Sequence, residues 1–242
     1  MKKRYVFLII TLLSGLWGCD NEDFLYNDIS RLWLSGDAAQ NATTDSVIFS
    51  FRLYNSEIQT DTIFVIGNLI GKASPEARSF KLEMVAEESN VAPTDYTFGT
   101  MVLPENQISA RVPVIVKRQV PGLNLRQEMA RLQVRIVANE NFGLGEEGTR
   151  EYTLLWCDFF TQPSTWSVIS PAVGVFTQAK YKFIIDNSGL TDFEVFRGNS
   201  MKRTSFLIQL KEALTAYNSN PANAGREEGW PYLNDDGTPL TF

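Results

Sequence analysis

Cys19 is the side chain whose place in the sequence most directly indicates chemistry. It follows a hydrophobic run over residues 5–13 and a short stretch that ends in Gly18, and the run is preceded by the basic residues 2–4. A positive start followed by a short apolar core is typical of a secretory signal peptide. The core is too short to cross a bilayer, which takes about 20 apolar residues. The sequence therefore predicts export, with a cysteine at the end of the export signal.

The residues around Cys19 resemble the bacterial lipobox. Leu16-Trp17-Gly18-Cys19 has a hydrophobic residue three positions before the cysteine and a small residue directly before it. The resemblance implies that residues 1–18 are a lipoprotein signal peptide and that the sulfur of Cys19 carries diacylglycerol. Its amine would carry a further acyl chain such as palmitate, and several chains together anchor a protein almost irreversibly. The alternative is an ordinary signal peptide in which this cysteine has no role.

An acidic cluster follows the predicted lipid site. Asp20, Glu22 and Asp23 lie directly after Cys19, and together with the following residues they form a tether over 19–29. Such a charge run is often a solvated linker. It also resembles the surface-export signal of Bacteroidetes-type lipoproteins, which implies an outer-membrane location facing the cell exterior. Both interpretations place the protein at a membrane through its lipid.

Charge and composition limit the partners and the chemistry. Removal of residues 1–18, which hold three basic and no acidic residues, changes the formal net charge from −6 to −9. A negative protein is a poor partner for nucleic acid. The chain has no histidine, which excludes Ser-His-Asp and Cys-His catalysis and histidine metal sites. We expect no cofactor, no metal and no enzyme activity.

One enzymatic alternative stays open. Glycoside hydrolysis needs only a pair of carboxylates, and the 28 acidic residues of the chain are too scattered to single out such a pair. The second cysteine, Cys157, is flanked by Trp156 and Phe159, which favours a buried thiol that behaves as a small hydrophobic residue.

Period-2 alternation of apolar and polar residues dominates the first two thirds of the chain. Ala110, Val112, Val114 and Val116, for example, share one face of a single strand. Eight short strands separated by turn residues predict an antiparallel β-sandwich over residues 30–157, so that the protein is mainly β. The predicted strands are 31–34, 47–54, 62–66, 80–84, 100–103, 110–116, 131–136 and 149–156.

Residues 158–242 are predicted to form a small α+β domain. It would contain a hairpin of strands 179–186 and 193–196, followed by a helix over 200–217 with apolar residues at helical spacing. Asp236-Gly237 indicates a tight turn near the C-terminus, where Asp235 and Asp236 could alternatively hold a hard cation. Trp166, Trp230 and Tyr232 are candidate binding aromatics, with core packing as the alternative.

Two segments carry a family resemblance. "APTDYTFGTMVLPENQISARVPVIV" and "EMARLQVRIVANENFGLGEEGTREYTLLW" resemble a Calx-β-type sandwich, which is immunoglobulin-like in architecture. With "GVFTQAKYKFIIDNSGLTDF", nearly the whole mature chain resembles a family of Bacteroidetes-type surface lipoproteins, a domain of unknown function encoded beside SusC/SusD uptake systems.

The resemblance implies a non-catalytic accessory or binding component of a SusC/SusD-type outer-membrane system for nutrient uptake. Its partners would be the transporter and a glycan or peptide cargo. The competing hypothesis is a surface hydrolase that uses a carboxylate pair. A cleft with two carboxylates would favour the hydrolase, and an open surface with exposed aromatic residues would favour binding.

Overall fold

The computed structural model describes residues 29–40 and 42–242. Residues 1–28 lie outside it, and with them Cys19, Asp20, Glu22 and Asp23. The helices are α1 Trp166–Val173, α2 Gln178–Ser188 and α3 Ser200–Ser219. The strands are β1 Arg31–Gly36, β2 Ser46–Ser50, β3 Thr60–Ile70, β4 Arg78–Ser79, β5 Lys81–Met84, β6 Tyr96–Phe98, β7 Val102–Leu103, β8 Ser109–Lys117, β9 Ala130–Val137, β10 Gly143–Leu144 and β11 Glu151–Cys157.

Two sheets form the predicted sandwich. The larger sheet has the strand order β10-β1-β3-β8-β6, and the smaller sheet has the order β2-β11-β9-β5. The strands β4 and β7 form a separate short pair. Most neighbours are antiparallel, as predicted, but β1 pairs with β10 and β2 pairs with β11 in parallel. Both sheets are therefore mixed. The parallel pairs lie at the sheet edges, where long connections bring β10 beside β1 and β11 beside β2.

The core of the sandwich lies between the two sheets. The alternation that predicted the strands is the alternation of burial: Ala110, Val112, Val114 and Val116 of β8 all face inward, and so do Leu132, Val134 and Ile136 of β9. Each of the valine, leucine and isoleucine side chains among them contributes about 1.5–3 kcal/mol when fully buried. The strand predicted over 47–54 ends at Ser50, where a 3₁₀ turn begins.

The C-terminal part is helical, which corrects the predicted α+β domain. Residues 179–186, predicted as a strand, lie in α2, and 193–196 form a short 3₁₀ turn. The buried residues of α2 are Lys180, Tyr181, Phe183 and Ile184, a spacing that matches a helix face and not a strand. Helix α3 confirms the predicted helix, and its Phe206, Leu210 and Leu214 are buried.

The helical part has a hydrophobic core of its own. Trp166 of α1 makes edge-on contacts with Phe176, Tyr181 and Phe193, at ring-centroid distances of 5.1, 6.0 and 5.8 Å. The buried residues of this core all come from 166–240, whereas those of the sandwich core come from 32–156. Among the described residues, none of the helices has both the length and the apolar character that a membrane span requires.

The C-terminal turn caps α2. Asp235 accepts hydrogen bonds from the backbone N–H groups of Gln178 and Ala179, both at 2.7 Å. These N–H groups have no partner within their own helix, and the positive end of the helix dipole favours a carboxylate there. Asp236 accepts only from Thr238, two residues further on. Asp235 is thus a helix cap, and the alternative role as a cation ligand is not needed to explain it.

We expect Asp235→Ala to lower the free energy of unfolding by about 1–2 kcal/mol, the usual cost of removing a cap. Asp236→Ala is the matched control, because its carboxylate touches no helix terminus, and it should change stability by less than about 0.5 kcal/mol. Chemical denaturation of both variants measures the difference. Equal stability of the two would show that the Asp235 bonds do not stabilise α2.

A buried ion pair closes the end of the sandwich that faces the helices. Arg118 follows β8 and Asp158 follows β11, and the guanidinium donates to both carboxylate oxygens at 2.7 and 3.1 Å. Arg118 also donates to the carbonyl oxygens of Asn55 and Ile58, at 2.8 and 3.2 Å. One side chain thereby ties together a strand of each sheet and the loop that precedes β3.

Candidate functional site

The outward surface of the larger sheet carries more apolar and aromatic side chains than a solvated sheet face requires. We define the outer face by a group of outward-pointing residues in the central parts of β1, β3 and β8, together with Asp37 beside them. None of these residues contributes to the sandwich core, and Ile115 is 42% exposed. The residues of the outer face are Trp33, Ser35, Asp37, Phe64, Ile66, Asn68, Arg111, Pro113 and Ile115.

The outer face arises because β1 and β3 each place large apolar residues on their outward side as well as in the core. In β1 the inward residues are Leu32 and Leu34, and Trp33 between them must point outward. In β3 the inward residues are Ile63 and Val65, so that Phe64 and Ile66 take the outer side. A strand with one solvated face alternates apolar and polar residues, and these two strands do not.

Trp33 lies directly across from a polar partner. The register of β1 and β3 pairs Trp33 with Asn68, which places their Cβ atoms roughly 5 Å apart on the same face. The amide nitrogen of Asn68 donates to Ser35 Oγ at 2.9 Å and to the Ile66 carbonyl at 3.3 Å. These bonds hold the amide plane in place. Neither the indole N–H of Trp33 nor Asn68 Oδ1 is hydrogen-bonded to a described residue.

A second aromatic group contains Phe64, which lies four positions before Asn68 in β3. The guanidinium of Arg111 stacks over the Phe64 ring, 3.4 Å from its centroid. Arg111 Nε donates to Asp37 at 2.7 Å, and Asp37 also accepts from the N–H of Ala39 at 2.9 Å. The hydrogen bond from Ala39 lowers the pKa of Asp37. Burial acts in the opposite direction, and the hydrogen bond from Arg111 lowers the pKa further. The carboxylate therefore stays ionised and holds the stacked guanidinium in one plane.

The outer face is thus a pre-ordered surface with two flat stacking groups. Phe64 and Asn68 lie four positions apart in β3, which corresponds to roughly 13 Å along the strand. Beside Trp33, Ser35 and Asn68 supply fixed hydrogen-bonding groups. An elongated, hydroxyl-bearing ligand with apolar ring faces fits this pattern, because aromatic rings supply contact area and the polar groups fix orientation.

The aromatic residues singled out from the sequence do not form a joint platform. Trp166 is 2% exposed and Tyr232 is 3% exposed, so both belong to the core of the helical part. A ring inside a core cannot anchor a partner, and these two candidates are corrected. Trp230 is 44% exposed, and its indole N–H donates to the Asn218 carbonyl at 3.0 Å. Trp230 is therefore the one residue of these three candidates that lies at the surface.

Carboxylates meet in one hollow of about 350 Å³ beside the N-terminus of α2, lined among others by Glu227, Glu228 and Asp235. Asp235 is engaged as the cap of α2. Glu228 pairs with Lys182 at 3.0 Å, and this hydrogen bond lowers the pKa of Glu228. A general acid for glycoside hydrolysis needs a raised pKa. Within residues 29–40 and 42–242, no group of three acidic or cysteine side chains is arranged to hold a metal ion.

Several solved structures resemble parts of this chain. EndoBT-3987 from Bacteroides thetaiotamicron, solved with Man5GlcNAc product, shares 17% identity over 47% of this chain and 28% of its own, with a TM-score of 0.37. A Bacteroides ovatus protein with a proposed carbohydrate-binding role shares 9% identity over 53% of this chain and 37% of its own, with a TM-score of 0.39. This chain therefore spans well under half of the length of either protein.

The CBD1 domain of Calx is similar over its whole length and over 55% of this chain, with 15% identity and a TM-score of 0.36. No curated protein matches the chain. One family model matches residues 26–190, which is more than half of the sequence and extends from the sandwich through α2. On that match, the chain belongs to the family described as a domain of unknown function, DUF4843.

Proposed function

We propose that this protein binds carbohydrate on its outer face and carries out no reaction itself. The observation that supports this most is the pairing of Trp33 with Asn68, because it joins a partly exposed ring to an amide already held in one orientation. Apolar ring faces of sugars stack on aromatic side chains, and hydroxyl groups need fixed donors and acceptors. Binding is favoured when these groups are ordered before the ligand arrives.

The setting of this binding module is a further part of the proposal. Acylated Cys19 would hold the protein at the outer membrane, and the acidic residues after it would direct it to the cell exterior. A SusC/SusD-type transporter would be its neighbour there. A tether raises the local concentration of a captured ligand near such a transporter, so that even a weak contact is effective.

The direct test is binding without turnover. Full-length protein purified in detergent is titrated with neutral oligosaccharides of three to five units, and each mixture is then analysed by mass spectrometry. We expect saturable binding of at least one oligosaccharide, with no shortening of any. Absence of binding across the panel would contradict the proposal.

Turnover would support the hydrolase in its place. Glu227 is then the residue to change in the hollow beside the N-terminus of α2. The other two carboxylates there are already engaged, Glu228 with Lys182 and Asp235 with the N-terminus of α2. Activity that Glu227→Gln removes would establish the hydrolase and overturn a purely binding role.

The predicted surface address has its own test. We expect protease added to intact cells to degrade the wild-type protein, and simultaneous replacement of Asp20, Glu22 and Asp23 with alanine to protect it. The physical reason is that the variant lacks the acidic cluster and stays on the inner side of the membrane. Lysed cells serve as the control, in which both proteins must be degraded. Equal digestion on intact cells would leave the cluster as a plain linker.

A further inference from the structure

A continuous groove runs along the boundary between the sandwich and the helical part. Three adjoining hollows of about 630, 390 and 350 Å³ all include Arg52 in their walls. The first two share Arg126 and Asp158, and the last two share Lys182. We call this feature the junction groove. It is separate from the outer face, since none of the outer-face residues lines it.

The cations of the junction groove fall into two groups. Arg118 and Lys182 are fully committed, the first to Asp158 and the second to Asp186 and Glu228 at 2.6 and 3.0 Å. The side chains of Arg52 and Arg126, in contrast, form no ion pair or hydrogen bond with any described residue. Arg52 only lies over the ring of Phe160, 5.6 Å from its centroid.

Two guanidinium groups without anionic partners therefore share a concave site. A guanidinium has a flat set of donors that matches a carboxylate with two parallel hydrogen bonds. Glu227 lines the second and third hollows and Glu228 lines the third, and their charge opposes a ligand that is strongly negative along its whole length. A ligand with a single negative group beside Arg52 and Arg126, which together line the first two hollows, fits this charge distribution better.

The remaining lining identifies the rest of the ligand. Gln59, Gln119 and Asn124 line the hollow that contains Arg126, and side-chain amides both donate to and accept from hydroxyl groups. Phe160 adds a ring beside Arg52 in the neighbouring hollow. We propose that the junction groove binds a uronic acid unit of an acidic carbohydrate, with its carboxylate held between Arg52 and Arg126 and its hydroxyl groups facing the amides.

The test uses galacturonic acid, which carries a single carboxylate, and its methyl ester, which has the same ring without the charge. Full-length protein in detergent should bind the acid at least tenfold more tightly than the ester, and added salt should weaken the binding of the acid. Arg52→Gln and Arg126→Gln should each reduce affinity for the acid at least fivefold. The double variant should abolish detectable binding. Arg131→Gln is the control for loss of charge, since Arg131 lies on the exposed side of β9, and it should bind as the wild type does.

Three results would overturn the proposal: equal binding of acid and ester, wild-type affinity in the double variant, or tighter binding of an acidic tripeptide than of the uronate. The thermal transition of each variant shows whether it is folded. Trp33→Ala separates this proposal from the outer face, because it should leave galacturonic acid binding unchanged. Loss of uronate binding in Trp33→Ala alone would place the acidic sugar on the outer face and contradict the groove.

Discussion

Replacement of Asp158 with alanine is expected to lower the free energy of unfolding by about 3–5 kcal/mol, the usual cost of removing one partner of a buried ion pair. Arg118 is buried at the end of the sandwich and donates to both oxygens of this carboxylate. Without Asp158, a guanidinium stays inside the protein with only two carbonyl groups to satisfy it. A loss of this size is a large part of the stability of an ordinary domain, about 5–15 kcal/mol.

Glu83→Ala is the matched control for this measurement. It also removes a carboxylate that an arginine holds at 2.7 Å, but the Glu83–Arg135 pair is exposed to solvent. Exposed pairs contribute less than about 1 kcal/mol. Replacing both partners of the buried pair, in Arg118→Met with Asp158→Leu, should recover most of the stability. If Asp158→Ala and Glu83→Ala unfold at the same denaturant concentration, the pair does not hold the sandwich end together.

Replacement of Cys19 with alanine is expected to abolish lipid labelling and release the protein from the membrane. Each methylene group of an acyl chain contributes about 0.8 kcal/mol to membrane binding, so that several chains account for nearly all of the attachment. The measurement is incorporation of a clickable palmitate analogue, together with the share of protein in the membrane pellet. Retention of label by Cys19→Ala would contradict the anchor.

Cys157 provides the control for this experiment. Its thiol is fully buried, and its Sγ lies 3.5 Å from the Phe159 carbonyl oxygen. Burial raises the pKa of this thiol, which keeps it protonated and unreactive. Cys157→Ala should therefore retain full labelling and membrane attachment. Loss of label in Cys157→Ala would instead show that the lipid is attached to Cys157 and not to Cys19.

Local alternation was enough to predict the sandwich, because burial in a strand follows the same period of two. Ala110, Val112, Val114 and Val116 illustrate this, since each is buried in β8. The same reasoning failed over 179–186. There, Lys180 and Lys182 imitate the polar positions of a strand, although Lys180 is buried and donates to the Val173 carbonyl at 2.8 Å.

Signals for the α2 helix were nevertheless present at both of its ends. Thr177 accepts from the N–H of Lys180 as an N-cap, and Gly189 ends the helix with a φ of 69°. Threonine before a helix and glycine after it are the usual boundary residues. The apolar pattern of residues 179–186 is compatible with either a strand or a helix. Thr177 and Gly189 at its two ends therefore indicate the helix more strongly than the pattern indicates a strand.

The outer face and the junction groove could not be predicted in the same way. Trp33 and Phe64 look like core residues in the sequence, and only the strand register places Trp33 beside Asn68. The groove brings Arg52 near Arg126 and Lys182, which are far apart in the chain. Both sites depend on contacts between residues that are distant in the sequence. Trp166 and Tyr232, in contrast, lie in the core of the helical part, packed among other aromatic side chains.

The measurement that tests the binding role most directly compares Trp33→Ala with Trp230→Ala. Both remove a tryptophan that is at least partly exposed, one on the outer face and one in the helical part. For the neutral oligosaccharide that the wild type binds most tightly, Trp33→Ala should weaken binding at least tenfold, about 1.4 kcal/mol, and Trp230→Ala should not change it. Unchanged affinity in Trp33→Ala, with loss of affinity in Trp230→Ala, would contradict binding on the outer face.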